Sequence, residues 1–316
     1  QAQTYVWNRT DSADFQVATN WTPDRTTPAA TDNLVFSNGA ANTIAYHVPT
    51  QTVASVSVSN NTSIRLYSGA AITLTIGGGT NPVFSVAAGS TFSANASAAA
   101  NAIVMNLTTG STGSIAGTLS MLSNSGSPAH RFQSPDASSV TFTNGSVCIC
   151  GPNFSGNMFG AGTAPSGLNS MIFQSGSRFI ARGGSNPFGA GQPSSVVTFQ
   201  SGSTFDCQIT GPAFSGRTYA NFELNNAGTV TATGSATSTI ENITINDGTF
   251  NYNMTGRSNI KGNITVAPVK TMNIAPASNP TDSLVFNGTS QQSISGAGTF
   301  TITNTISIQN KVVLNN

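Results

Sequence analysis

Few residues of this 316-residue chain could carry out chemistry: Asp and Glu number 10, Lys and Arg 11, and there are two His and three Cys. Glycoside hydrolysis needs two carboxylates that face each other across a sugar. The candidate with the most charged residues in its repeat is Asp206, because Arg178 and Arg182 precede it in a repeated segment. We interpret this group as a surface ion pair. A catalytic site at Asp206 is the alternative.

The histidines and cysteines match no catalytic or metal-binding motif. His47 and His130 have no partner motif, and we interpret both as surface or turn residues. Cys148 and Cys150 stand at alternate positions of a predicted strand and so face the same way. With Cys207 the count is odd, which argues against a disulfide framework. We predict three buried thiols that behave as small hydrophobic groups, and no catalytic residue, cofactor or metal.

The composition is nearly neutral. Charged residues make up 7% of the chain and the net charge is +1, whereas about 25% is usual. No basic field is therefore available to attract nucleic acid. Hydrophobic residues reach 38%, with 18 Phe, which is enough to offset the entropy cost of ordering the chain. No apolar run is long enough for a membrane span.

One motif is written three times in the middle of the chain. Its copies are Phe142-Thr-Asn-Gly-Ser146, Phe173-Gln-Ser-Gly-Ser177 and Phe199-Gln-Ser-Gly-Ser203, which are 31 and 26 residues apart. Self-similarity at this period is typical of a stacked repeat architecture. We expect the Phe and the Gly of each copy to form columns, with the Gly turning corners at positive φ.

Outside these copies the pattern is short alternation of apolar and polar residues, cut by Gly, Asn and Pro. Examples are Ile72-Thr-Leu-Thr-Ile76 and Thr229-Val-Thr-Ala-Thr233. Such runs indicate half-buried strands, and no convincing helical stretch occurs. Strands this short need pairing with the next repeat. The sequence therefore predicts an all-β fold, a right-handed parallel β-helix (β-solenoid) with about 25 residues per coil.

The first segment differs from the rest, and we predict that residues 1–36 form an N-terminal cap. They hold both tryptophans, Trp7 and Trp21. A cap is needed because the first coil of a solenoid has an unpaired strand edge and an apolar end. The alternative is a carbohydrate-binding aromatic patch formed by the two tryptophans.

The solenoid itself is predicted over residues 37–279. The segment Thr31-Asp-Asn-Leu-Val-Phe36 returns as Thr281-Asp-Ser-Leu-Val-Phe286. This repetition predicts that residues 280–316 begin a second solenoid unit or supply the C-terminal coils. We expect the chain to be part of a longer protein, or its end to pair with a neighbour.

Several motifs resemble a known group of proteins. Trp7-Asn8, Asn20-Trp21, the Phe-Gln-Ser-Gly-Ser repeats and Phe214-Ser-Gly-Arg-Thr-Tyr219 resemble the β-solenoid regions of large secreted Bacteroidetes surface proteins. These are similar to substrates of the type IX secretion system and, more loosely, to autotransporter passengers. The resemblance implies an extracellular or cell-surface location and an adhesin or scaffold role. The start at Gln1-Ala-Gln-Thr4 is typical of a mature secreted bacterial protein.

We therefore expect a non-catalytic extracellular structural module, a surface adhesin stalk or a fibre subunit. Its partners would be other copies of itself, cell-surface proteins or a polysaccharide. The alternative is a carbohydrate-binding or carbohydrate-cleaving parallel β-helix. Its lateral groove would use Arg178, Arg182, Asp206 and an exposed Tyr219 for glycan contact.

Two surface patterns give further expectations. Asp11-Ser12-Ala13 and Asp282-Ser283-Leu284 fit the Asp-Ser/Thr-aliphatic pattern of Bacteroidetes O-glycosylation, which makes Ser12 and Ser283 candidate glycosylation sites. Thr-x-Thr runs at 229–233 and 299–303 suggest an ice-binding face. An ice-binding face would need such a pair on every successive coil, and the Thr-x-Thr pairs are about 70 to 90 residues apart, so we interpret them as outward threonines of high β-propensity.

Overall fold

The structure, a computed structural model, describes residues 2–96, 98–123, 126–184, 186–274, 284–303 and 306–315. Strands make up 45% of it and helix 1%. The helical residues are a single 3-10 turn at Ala18–Asn20 in the described ranges. The prediction of an all-β fold is confirmed.

The chain forms two compact units. The first comprises Gln1–Ser177, Arg182–Ala190 and Val196–Thr198, and the second comprises Arg178–Ala181, Gly191–Ser195 and Phe199–Asn316. The predicted boundaries at residues 36 and 279 stay predictions. Residues 275–283, where the last segment was predicted to begin, lie outside the described residues.

The strands of the first unit are short, from two to six residues. They are β1 (Thr4–Trp7), β2 (Ser12–Asp14), β3 (Trp21–Thr22), β4 (Asn33–Phe36), β5 (Thr43–Tyr46), β6 (Gln51–Val53), β7 (Ser55–Val58), β8 (Ser63–Ser68), β9 (Ile72–Ile76), β10 (Phe84–Val86), β11 (Thr91–Ala96), β12 (Ile103–Leu107), β13 (Gly113–Ile115), β14 (Thr118–Met121), β15 (Arg131–Gln133), β16 (Val140–Phe142), β17 (Val147–Cys150) and β18 (Met171–Phe173).

These strands pair across repeats rather than with their neighbours in sequence. Three parallel series run β1-β4-β7-β10-β13-β16-β18, β2-β5-β8-β11-β14-β17 and β6-β9-β12-β15. The pair β1 and β3 is antiparallel. Regular parallel pairing of each strand with its counterpart in the next repeat is compatible with a β-solenoid.

Longer strands appear in the rest of the chain, up to eight residues. They are β19 (Arg178–Ala181), β20 (Val197–Phe199), β21 (Thr204–Cys207), β22 (Thr218–Leu224), β23 (Thr229–Gly234), β24 (Ser238–Ile245), β25 (Thr249–Met254), β26 (Ser258–Ile260), β27 (Ile264–Val266), β28 (Thr271–Ile274), β29 (Leu284–Phe286), β30 (Gln292–Ser295), β31 (Thr299–Ile302), β32 (Ile306–Ile308) and β33 (Val312–Asn315).

The second unit repeats the same pairing rule. One series runs β19-β21-β22-β24-β26-β29-β32, and the long strand β24 also pairs with β27, which continues to β30 and β33. A separate parallel sheet has the order β23-β25-β28-β31. All of these pairs are parallel.

Side chains of one type stack in columns inside each unit. In the first unit the rings of Phe142 and Phe173 lie 4.2 Å apart with an interplanar angle of 2°, which confirms the predicted stacking of these two repeats. Phe199 belongs to the second unit, where its ring lies 5.9 Å from that of Phe205. Aromatic rings that contact one another in this way bury large apolar surfaces in the core.

The predicted corner glycines are confirmed. Gly145, Gly176 and Gly202 have φ values of 82°, 78° and 81°, in the region that a residue without Cβ adopts most readily. A Cβ added at Gly176 would lie 2.2 Å from the side-chain oxygen of Asn144. The backbone turn therefore favours Gly in all three copies, and close packing adds a second requirement at Gly176.

The two tryptophans belong to a buried aromatic cluster. Trp7 is 0% and Trp21 1% exposed, and their rings lie 5.0 Å apart in an edge-to-face arrangement. Phe15 and Phe36 complete the cluster at 5.1 and 5.6 Å from Trp21. The alternative prediction of an aromatic carbohydrate-binding patch at Trp7 and Trp21 is wrong, because neither ring is accessible to a ligand.

A buried ion pair lies beside this cluster. The Nε of Arg25 donates to Oδ2 of Asp32 at 2.8 Å, and both side chains are 3% exposed. The Nη2 of Arg25 also donates to Oε1 of Gln51 at 3.0 Å. The guanidinium lies 5.8 Å from the ring centroids of Tyr5 and Trp21. Buried charges require such compensation from hydrogen bonds, opposite charge and ring faces.

Removing one partner of this pair is expected to destabilise the first unit strongly. Asp32→Ala leaves the Arg25 guanidinium buried without its counter-charge, a change that costs about 3–5 kcal/mol. Urea unfolding followed by tryptophan fluorescence measures it. The matched control is Asp11→Ala, since Arg9 and Asp11 form a pair whose side chains are 44% and 63% exposed, and its cost should stay below about 1 kcal/mol. Equal losses in the two variants would contradict the expectation.

Candidate functional site

The predicted acidic site lies on the outer face of three strands of the second unit. Strands β19, β21 and β22 pair in register, with Ile180 opposite Asp206 and Asp206 opposite Glu223. The phenylalanines that precede these two acids are buried. Because side chains alternate along a strand, both acidic residues point away from the core.

Arg178 joins the two carboxylates. Its Nη1 lies 3.1 Å from Oδ2 of Asp206 and 2.6 Å from Oε2 of Glu223, and its Nη2 lies 3.2 Å from Oε1 of Glu223. The other oxygen of Asp206 accepts from Nδ2 of Asn225 at 2.8 Å and from Nε2 of Gln208 at 3.3 Å. Every carboxylate oxygen of the group therefore has a donor.

The electrostatics of this cluster favour permanent charge on the arginine. Hydrogen bonding to Glu223 raises the pKa of Arg178, although partial burial opposes the rise. Asp206 is 6% exposed, so it is buried rather than at the surface as predicted. The predicted pairing of Arg178 with Asp206 is confirmed. Such an arrangement clamps three adjacent strands together through one guanidinium.

Sequence reasoning missed Glu223. A signal was present, because Phe205-Asp-Cys207 is followed by Phe222-Glu-Leu224, the same order of aromatic, acidic and apolar residues. The structure aligns the two triplets residue by residue. A search for repeated triplets, rather than for longer motifs, would have brought the second carboxylate to the site.

The other two predicted glycan-contact residues are placed differently. Tyr219 is 0% exposed, its hydroxyl donates to the carbonyl of Ala213 at 2.5 Å, and burial raises its pKa well above the ordinary value. The expectation of an exposed Tyr219 is wrong, since the ring fills the core. Arg182 belongs to the first unit, where its backbone N–H donates to the carbonyl of Cys150 at 3.0 Å. Its contact with a glycan stays a prediction, as does that of Arg178.

The two histidines have opposite environments. His47 is exposed and lies 2.8 Å from Asp14, which confirms its surface position. His130 is 0% exposed, so its prediction as a surface or turn residue is wrong. Its Nδ1 accepts the N–H of Ile103 at 2.8 Å, and its Nε2 donates to the carbonyl of Leu122 at 3.0 Å. The ring thus satisfies backbone groups that the short strands leave unpaired.

All three thiols are free and buried, as predicted. In the first unit, Sγ of Cys148 and of Cys150 lie 3.6 and 3.4 Å from the sulfur of Met158. In the second unit, Sγ of Cys207 donates to the carbonyl of Ile209 at 3.3 Å. Burial raises the pKa of Cys207 to about 12. These thiols pack as apolar groups and are poor nucleophiles.

The predicted modification sites are only partly described. Ser12 opens strand β2 and is exposed, so its hydroxyl is open to solvent. Ser283 lies outside the described residues. O-glycosylation of either serine stays a prediction.

The threonines at 229–233 face outward, as predicted. Thr229, Thr249, Thr271 and Thr299 occupy the same position on β23, β25, β28 and β31, and so form one row across the sheet. Asparagines replace the second threonine on the two central strands, which hid the array from a search for Thr-x-Thr. The runs at 229–233 and 299–303 nevertheless lie in one sheet, because distance along the chain does not measure distance across a parallel sheet.

Three searches bear on the function. Among the described residues no group of three or more His, Cys, Asp or Glu side chains is placed to hold a metal ion. The described part of the chain also contains no helix with the length and apolar character needed to cross a membrane. Comparisons with protein-family models, curated proteins and solved structures found no match to this chain.

The buried His130 makes stability depend on pH. Desolvation lowers its pKa from 6.5 to about 4, so the unfolded chain binds a proton more readily than the folded one. Its contribution is fully present above pH 6.5 and is lost as the pH falls towards 4, by on the order of 3 kcal/mol. Urea unfolding at pH 7.5, 5.5 and 4.5 measures this loss. His130→Gln should flatten the dependence between pH 6.5 and 4.5, whereas His47→Gln should retain it, and a variant pair with the same slope would count against the assignment.

The contacts of Arg178 with Asp206 and Glu223, which we call the Arg178 clamp, lead to a second prediction. Arg178→Met leaves the buried Asp206 without its cationic donor and should lower the free energy of unfolding by about 1–3 kcal/mol. Arg257→Met is the control, because Arg257 is exposed and its Nε donates to Asn259 at 3.0 Å. The control should change stability by less than about 0.5 kcal/mol. Chemical unfolding of the two variants measures this difference. Unfolding midpoints that are the same for both variants would refute a structural role for the clamp.

Proposed function

We propose that this chain is a non-catalytic extracellular structural module, a surface adhesin stalk or a fibre subunit. The observation that carries the proposal is the in-register parallel pairing of strand on strand in both units, for example Leu34 with Val56 and Phe222 with Ile243. A sheet extended by repeats transmits load through many backbone hydrogen bonds. It also presents the same outward side chains at a regular spacing of about 4.8 Å.

The proposed architecture is a right-handed parallel β-helix with an N-terminal cap over residues 1–36. Right-handedness is the strong preference of connections between parallel strands in one sheet. The cap is supported by the antiparallel pair of β1 and β3 at the end of its sheet. A reversed strand beside a parallel series, backed by buried Trp7 and Trp21, is a reasonable device for ending pairing at one edge.

The contacts of the Asp206 and Glu223 carboxylates support a non-catalytic role. A glycosidase needs a carboxylic acid that can protonate the leaving oxygen and a second carboxylate facing the sugar. Asp206 and Glu223 instead both bind one guanidinium, that of Arg178. In this proposal both acids stabilise the pairing of adjacent strands through Arg178.

The proposed location is the bacterial cell surface or the extracellular medium, with type IX secretion as the route that the sequence resemblance implies. The proposed partners are further copies of the chain, other cell-surface proteins or a polysaccharide. A neutral chain with 7% charged residues lacks a field that would steer it to nucleic acid. Its outward Ser, Thr and Asn side chains suit contacts made by hydrogen bonding.

Negative-stain electron microscopy of the native material, together with protease treatment of intact cells that produce it, tests this proposal. Long uniform fibres would identify a polymer subunit, and isolated short rods released by protease would identify a stalk. Protection from protease in intact cells but not in lysed cells would overturn the extracellular assignment.

A direct assay tests the absence of catalysis. The purified chain should release no reducing ends or unsaturated products from a panel of neutral and acidic polysaccharides. Asp206→Asn and Glu223→Gln are prepared in parallel. Turnover by the unmodified chain that either substitution abolishes, with folding retained by circular dichroism, would establish the carbohydrate-cleaving alternative instead.

A further inference from the structure

The outer face of the sheet β23-β25-β28-β31 carries a groove lined by uncharged residues in the second unit. Its cavity measures about 470 Å³, and its lining consists of the side chains of Thr231, Asn251, Asn253, Asn273, Thr301 and Thr303. We call these six residues the Thr/Asn groove. A volume of this size lies in the range of ordinary small-ligand sites.

The strand register builds the groove. Thr231, Asn251, Asn273 and Thr301 are aligned across the four strands. On β23, β25 and β28 their neighbours along the strand, such as Val230, are buried, so the Thr and Asn side chains on these three strands face outward. Hydrogen-bonding groups therefore repeat at the spacing of adjacent strands, about 4.8 Å. A ligand with hydroxyl groups at a regular repeat matches such a row better than a compact ligand does.

The hydrogen bonds inside the groove leave groups for a ligand. The Nδ2 of Asn273 donates to Oδ1 of Asn251 at 2.9 Å. That bond uses one amide hydrogen of Asn273 and leaves the amide group of Asn251 as a donor. The Oδ1 of Asn253 is buried and has no hydrogen-bond partner in the described part of the chain. A buried carbonyl oxygen without a donor is destabilising, so the hydrogen bonds of the chain itself are incomplete at this position.

The side chains that line the Thr/Asn groove indicate which class of ligand it binds. All six lining residues are Thr or Asn and none carries a charge, so a phosphate, an acidic glycan or a charged peptide would lose hydration without gaining a counter-charge. A sugar hydroxyl both donates and accepts, as these side chains require. The geometry points to a binding site for a neutral polysaccharide in the Thr/Asn groove, separate from the Arg178 clamp and independent of the proposed structural role.

A flat array of threonines would instead suit ordered water. The groove departs from that pattern because it is concave and because asparagines occupy the aligned positions on its two central strands. Inhibition of ice recrystallisation is therefore measured alongside glycan binding, as the outcome that would assign the face to water.

Affinity electrophoresis of the purified full chain tests the site. The native gels contain β-1,4-glucan, β-1,3-glucan, α-1,4-glucan, mannan or, as the acidic comparison, polygalacturonate. Retardation by at least one neutral polymer is expected, with a weaker effect of polygalacturonate. Isothermal titration with the hexasaccharide of the retained polymer then gives the affinity. Retention by polygalacturonate alone, retention by none, or ice inhibition without retention would each overturn the proposal.

Matched variants locate the binding. The double variant Thr231→Val and Thr301→Val removes two hydroxyls while keeping β-branched shape, and should weaken binding about five- to fiftyfold. Thr231→Ser retains the hydroxyl and should bind nearly as the parent does. The control is Thr244→Val, on β24 outside the groove. Circular dichroism verifies folding, and equal affinity of the control and the double variant would refute this location even if the chain binds a glycan.

Discussion

Register is the constraint on which the structure depends. In a parallel pair every residue of one strand lies beside a defined residue of the next, and a slip by one position turns the core face outward. Each repeat must therefore present the same alternation as the one before it, whatever the length of its turns. Rows of one residue type follow, such as the stacked rings of Phe205 and Phe222, at 5.9 Å and an angle of 11°.

Several polar side chains of this fold bind a charge or a backbone group that the hydrogen bonds between strands leave without a partner. Arg25 and Asp32 neutralise each other beside the tryptophan cluster, His130 bridges two backbone groups, and Arg178 joins two acids on adjacent strands. In each case the cost of removing a polar group from water is met by hydrogen bonds of good geometry. None of the three requires a ligand to explain its burial.

The sequence predicted the short strands, the parallel all-β class, the stacking of Phe142 on Phe173 and the glycine corners, because these follow from local periodicity. It did not predict that Tyr219 and His130 are buried, since burial of a residue with a polar atom depends on which backbone groups the fold places beside that atom. Glu223 and the Thr/Asn groove were missed for a related reason. Repeats of unequal length conceal which residues align, and only the register brings them into one row.

The buried thiols allow the local unfolding of each unit to be measured by chemical labelling. Cys148 and Cys150 lie in the first unit and Cys207 in the second, and all three are shielded in the folded state. A thiol reacts with an alkylating reagent as the exposed thiolate, so labelling requires local or global opening of the unit that holds it. Peptide mass spectrometry of the labelled chain thus separates the opening rates of the two units without any engineered probe.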